Sequence, residues 1–225
     1  MLKAALFDFD GTLVDTTELI YQSLRHASRE VLGHEPPRDT LMANVGQPLP
    51  QQMAVLVESE VESAETDGLV EQLLTSYTAR NDELHEELIE EFPGVEEALS
   101  RLREAGVGIA VVTSKRRASV EMAIETFPGL DTVTNHFITM EDTEEHKPKP
   151  APLLKGLELL GDVPIEQSAY VGDSPHDIKA ARAAGVTSVA ISWGAFPEQA
   201  LLKAEPDYLV PDIDSAVDVL LKLTR

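Results

Sequence analysis

Apolar positions along this chain fall into two periodicities that alternate from one end to the other. Short unbroken runs at 4–7 (AALF), 107–113 (VGIAVVT), 136–139 (HFIT), 169–171 (AYV) and 188–191 (SVAI) have the length and β-branched content of buried strands. Between them, apolar residues recur at helical spacing over 95–104, from about 118, over 153–160, over 178–184 and over 214–223, with a further helix and a short strand before the last. Ala105-Gly106 and Gly185 supply helix stops. Strands alternating with helices of ordinary length predict an α/β fold, a Rossmann-like doubly wound parallel sheet covered on both faces.

One stretch breaks the alternation. From about 16 to 91 the pattern is helical throughout, interrupted only by GHEPPRDT, NVGQPLP and the acidic ESAETDG, and no strand is predicted there. A first helix covers 18–32. The last begins near 67 and carries Leu69, Leu73, Leu74 and Tyr77, running on towards Leu84, Leu88 and Ile89. The expected organisation is a core of 1–15 plus 92–225 and an inserted all-helical cap over 16–91.

Composition narrows the function. Apolar residues are 43% of 225, enough for a sizeable core. Forty acidic against 18 basic residues give a formal charge of -22, which repels a nucleic-acid backbone, and no basic stripe offsets it. There is no cysteine, so disulfides and thiolate chemistry are excluded. No run approaches a membrane span and the N-terminus lacks signal-peptide order, so the expected location is the cytoplasm, with no membrane partner.

The first strand ends in Asp8-Phe9-Asp10-Gly11-Thr12. Two carboxylates so close repel each other and lose hydration at a buried strand end, so stability alone is a poor reason for the pair. A bound cation supplies one. Three further polar pieces follow predicted strands: Thr113-Ser114, Lys147-Pro148 and Gly172-Asp173-Ser174-Pro175-His176-Asp177. In open α/β sheets ligands bind beyond these carboxyl ends.

In this order the four pieces resemble the four motifs of the haloacid dehalogenase superfamily, and the helical insert after the first resembles its small-cap type. The resemblance covers nearly the whole chain and is nearest to phosphoglycolate phosphatases and a related pyrophosphatase group. It implies that Asp8 is a nucleophile attacking phosphorus; a carboxylate of ordinary pKa about 3.9 needs no activating base. Asp10 would protonate the leaving oxygen and then deprotonate water, in a turn permitted by Gly11. The resemblance assigns Mg2+ to the Asp8 side chain, the Asp10 backbone carbonyl and the Asp173 side chain, with Asp177 expected to orient from behind through water. Thr113 and Ser114 would bind the transferring phosphoryl group, and Lys147 would neutralise it. Lys149 competes with Lys147, but the Lys-Pro order favours the latter. Lys115-Arg116-Arg117, directly after the Thr-Ser pair, reads as a solvated helix start, with attraction of an anionic substrate as the alternative, and Ser174 and His176 read as capping or loop residues.

Substrate choice is expected in the cap, at Asn44, Gly46 and Gln47 of the NVGQPLP loop and at Arg80, Asn81 and His85 of the last cap helix. The implied activity is hydrolysis of a small phosphorylated metabolite, phosphoglycolate-like; pyrophosphate hydrolysis and sugar-phosphate hydrolysis or mutation are alternatives. Phosphonate cleavage would call for a cap lysine, and 16–91 contains none. Carbon–halogen cleavage has no use for the acid at Asp10. A non-catalytic phospho-acceptor domain would not need a helical insert after its first strand. Oligomeric state is not legible.

Overall fold

The computed structural model describes residues 1–61, 68–130 and 134–224. Six parallel strands form the sheet: β1 (Ala4–Phe7), β4 (Gly108–Val112), β5 (Phe137–Ile138), β6 (Ser168–Gly172), β7 (Thr187–Ile191) and β8 (Tyr208–Val210), in the order β5-β4-β1-β6-β7-β8. Five of the six follow the apolar runs to within one residue at either end, and β8 is the short strand expected before the last helix.

Strand alternation sorts the core into two layers. Ala5, Phe7, Ile109, Val111, Val171 and Val189 face α5 (Val95–Glu104) and α10 (Ile213–Leu223), joined by Ala123 of α6 (Arg117–Thr126). Ala4, Leu6, Ala110, Val112 and Tyr170 face α7 (Ala151–Leu159) and α8 (Pro175–Ala184). A short α9 (Glu198–Lys203) covers Ala190 of β7. β1 sits at the centre, with the connection after it returning over one face and the connection after β6 over the other. The crevice between the carboxyl ends of β1 and β6 is therefore the place where a ligand fits.

The inserted helices are α1 (Thr17–Val31), α2 (Arg38–Met42), α3 (Leu49–Glu60) and α4 (Leu69–Leu88). They bury their own cluster, built on Ile20, Leu24, Leu41, Met53, Leu56, Leu73 and Tyr77. The expected start of α4 near 67 and the acidic break at 62–67 lie outside the described residues. One element was not predicted. β2 (Val14–Asp15) pairs antiparallel with β3 (Glu90–Glu91) where the chain leaves and re-enters the sheet. Two residues are too few for an alternating pattern, and both glutamates are exposed.

No helix among the described residues is long and apolar enough to cross a membrane.

Candidate active site

The turn after β1 is built by its backbone. Asp8 N–H donates to Val171 O of β6 at 2.8 Å, and the N–H groups of Leu13 and Val14 return to Phe9 O at 2.9 and 3.1 Å. Gly11 has φ +75°, and a Cβ there would lie 2.4 Å from Asp173 Oδ2, so glycine is required twice over. The turn points the two aspartates apart. Asp8 is buried, 3% exposed, while Asp10 Oδ1 accepts from Thr16 Oγ1 and from Lys115 Nζ, each at 2.8 Å.

Asp8, Asp173 and Asp177 come together, with one oxygen of each within 4.8 Å of the others. A single buried lysine compensates them. Lys147 Nζ lies 2.9 Å from Asp8 Oδ1 and donates to Asp177 Oδ1 at 2.7 Å and to the Tyr170 hydroxyl at 3.0 Å. Lys149 is exposed. The Tyr170 hydroxyl has Val112 O at 2.9 Å and Asp177 Oδ1 at 3.1 Å as acceptors, so it fixes the lysine to the sheet. Ser174 caps α8 in a reciprocal box, its N–H and hydroxyl donating to Asp177 Oδ2 at 3.0 and 2.5 Å. Both Asp177 oxygens are thus taken by protein donors directly.

The titration follows from burial and crowding. Burial first, then the neighbouring Asp177 charge, push Asp8 up to about 7 against the pull of Lys147. Burial and the charges of Asp177 and Asp8 also push Asp173 well above the ordinary carboxylate value. Burial would also raise Asp177, but Lys147 and Ser174 hold it below the ordinary carboxylate value. Lys147 is lifted by Asp177 and Asp8 in spite of its burial.

This donor set fits a hard divalent cation. It is all oxygen and under-compensated, and Asp8 Oδ1 is buried with no hydrogen-bond donor aligned on it. Asp8 and Asp173 are the carboxylates with oxygens left to offer. Asp173 Oδ2 is steadied by Ala195 N–H at 3.0 Å, and a Cβ on Gly194 would meet that oxygen at 2.1 Å. The segment is anchored by Trp193, stacked on Phe92 with ring centroids 4.3 Å apart. Gly194→Ala is expected to keep the fold and weaken Mg2+ binding by about 10–100-fold, as loss of ligand support does. Calorimetric titration of magnesium checks it; unchanged affinity would remove Gly194 from this role.

The remaining residues divide. Thr113 is buried at the end of β4 and accepts from Lys115 N–H at 3.1 Å, while Ser114 Oγ donates to Gly46 O at 2.8 Å. Gly46, Gln47 and Asn81 line the cavity over Asp8, together with Tyr77 and Phe196. Asn44 lies one step back, accepting from Gln47 Nε2 at 3.2 Å. Arg80 departs from expectation: it pairs with Glu83 at 2.6 Å and borders a surface groove with Arg25, Arg29 and Glu35. It is one residue, about 100° of helix, from Asn81, and it borders that groove instead of the cavity. His85 is buried, with neither ring nitrogen hydrogen-bonded, and does not line the cavity; burial and Lys115 hold its pKa down.

Two residues read as plain surface or loop are more than that. The Lys115 side chain is 8% exposed and bound to Asp10, whereas its neighbour Arg117 is the solvated residue, paired with Asp142. His176 Nε2 meets Gln47 Nε2 of the insert at 3.2 Å. Lys115 directly follows the Thr-Ser pair, which was the available signal; nothing in the sequence announces the His176 contact.

A family model of haloacid dehalogenase-like hydrolases matches residues 5–191. A protein of Caldanaerobacter subterraneus subsp. tengcongensis, provisionally named pyrophosphatase PpaX, is 38% identical over 212 residues, 94% of this chain and 91% of its own. Pyrophosphatase PpaX of Bacillus cereus is 33% identical over 224 residues, 100% and 99%. Among solved structures, a predicted phosphoglycolate phosphatase from Haemophilus somnus superposes with TM-score 0.85 at 25% identity, covering 97% of each chain.

Proposed function

The chain belongs to the haloacid dehalogenase-like hydrolases and is a phosphatase of that family, and we propose that it is a magnesium-dependent hydrolase of a small phosphorylated substrate, working through an aspartyl-phosphate on Asp8. The observation that carries this is the division of labour at the first turn: Asp8 lies buried against Lys147, while Asp10 faces the cavity from a separate hydrogen-bonded pocket.

An Asp8 carboxylate oxygen forms a bond to phosphorus as the bond to the leaving oxygen breaks, and Asp10 gives that oxygen its proton. Water then attacks the phosphoryl group, Asp10 takes the proton, the bond to Asp8 breaks and phosphate leaves. Thr113 and Ser114 hold the phosphoryl oxygens from the end of β4, and Lys147 keeps Asp8 and the transferred charge together. Asp8, Asp173 and the Asp10 backbone carbonyl would hold the magnesium, which offsets the charge of phosphate facing two carboxylates. Residues 16–91 act as the lid, with Ser114–Gly46, His176–Gln47 and Arg116–Asp82 among its contacts on the core.

Pyrophosphate is the substrate we favour, because the relatives at 33–38% identity carry that name. Phosphoglycolate is the second reading, on the Haemophilus structure. Phosphate release from the two side by side, with and without magnesium, decides. Turnover of neither would overturn both readings.

The pKa directions give a further expectation. A carboxyl raised in the folded state stabilises the fold fully below its ordinary value, and that contribution is lost as pH rises through the raised one. Asp8, ordinarily 3.8 and here about 7, and Asp173 both act this way. Asp177, lowered, loses its contribution only on acidification below its ordinary 3.8. These groups therefore make the metal-free protein less stable at pH 7.5 than at pH 5, and magnesium, which needs the ionised carboxylates, raises the melting temperature more at pH 7.5. Equal magnesium shifts at the two pH values would exclude Asp8 and Asp173 as ligands.

A further inference from the structure

Three cations line the cavity: Lys147, Lys115 and Arg116. All come from the core; among the described residues the insert contributes only neutral donors there, Tyr77 and Asn81 among them. Lys147 is occupied by Asp8 and Asp177 on the phosphoryl side. Of the other two, Lys115 stands beside Asp10, the residue that under the proposed mechanism protonates the leaving oxygen, and Arg116 lines the same cavity. Lys115 is nine-tenths buried and its ammonium group is fixed 2.8 Å from Asp10 Oδ1. Arg116 is less committed: its guanidinium donates to Ser119 Oγ at 3.2 Å and stands 3.6 Å from Asp82 of α4, with a third of the side chain exposed.

The placement is costly unless it is used. On a chain of formal charge -22 an anion approaches against the mean field, and a buried ammonium group with one carboxylate partner has donors to spare. We propose that Lys115 and Arg116, with Ser119 and Asn81, form a second anion site that binds a negatively charged leaving group. This rests on the reading that Asp8 and Asp10 perform the transfer, and adds to it the residues that hold the leaving group of either proposed substrate: the anion expelled, a phosphate or a carboxylate, is bound by the first residues after the β4 Thr-Ser pair. An uncharged alcohol of the same size offers the two cations no counter-charge beyond Asp10 and Asp82 and binds weakly.

The test measures binding, so it stands apart from turnover. Asp8→Asn protein with magnesium is titrated calorimetrically with pyrophosphate, with 2-phosphoglycolate and with 2-hydroxyethyl phosphate, whose leaving group is the uncharged counterpart of glycolate. Either anionic ligand is expected to bind about thirtyfold tighter than 2-hydroxyethyl phosphate, the range of a hydrogen bond to a charged group. Arg116→Gln in the same background should shrink that ratio to about threefold. Lys115→Met also frees Asp10, so the partly exposed Arg116 is the discriminating position and the safer one for folding. The pyrophosphate and phosphoglycolate arms tell phosphate from carboxylate. Equal affinities for charged and uncharged ligands, or a ratio unmoved by Arg116→Gln, overturns the inference even if the parent enzyme hydrolyses all three. A clear preference with no turnover by the parent sinks the proposed activity and leaves the anion site standing. Binding of none overturns both.

Discussion

Asp8→Asn is expected to lower phosphate release by on the order of 10^4-fold or more, since an amide oxygen cannot take the place of the attacking carboxylate. The fold should survive. Asparagine has the same shape, and the position is one where burial and Asp177 already work against the charge, pushing the carboxyl up to about 7. In EDTA at pH 7.5 the variant should therefore melt at or above the temperature of the parent, because a charge the metal-free fold disfavours has been removed. Loss of turnover with an unchanged or raised melting temperature marks a chemical role. Residual activity above about 1% of the parent is incompatible with a covalent role for Asp8.

Lys147→Met has the opposite profile, combining loss of activity with a large loss of stability. The side chain is 1% exposed and holds Asp8 and Asp177 at 2.9 and 2.7 Å. Methionine matches its volume but leaves three clustered carboxylates with no cation in contact, and stranding buried charge in this way costs about 3–5 kcal/mol. The deficit should shrink on acidification. Without the lysine, protonation of Asp8 and Asp177 becomes more favourable in the fold, so stability lost at pH 7.5 is partly recovered at pH 5. Chemical denaturation in EDTA at the two pH values measures it. A variant that unfolds with the parent at pH 7.5 would show that the lysine does not compensate this cluster.

The two substitutions separate roles that the sequence presents together. Asp8 and Lys147 stand 139 positions apart, each at a predicted strand end, and both were legible as candidates. Their contact was not, nor was the Tyr170 hydroxyl that orients the lysine from the middle of β6. In a buried strand a tyrosine reads as core, and only the register of β6 beside β1 brings its hydroxyl under Lys147. Arg80 and Asn81 show the same limit at shorter range. They are adjacent in sequence, yet a helix turns about 100° per residue, so one reaches the cavity and its neighbour reaches solvent.

What the sequence determined by itself was whatever depends on local periodicity and on the chemistry of strand ends: the alternating sheet, the helical stretch after the first strand, and the four polar pieces that follow apolar runs. What the tertiary structure alone decided was the pairing of charges. Lys115, in a run of three cations that reads as solvated surface, is drawn into the cavity by Asp10, while Arg117 turns outward to Asp142. Local sequence cannot register this, because the energy of a buried charge depends on partners contributed by distant segments, and those partners meet only when the sheet has closed and the insert has folded over it.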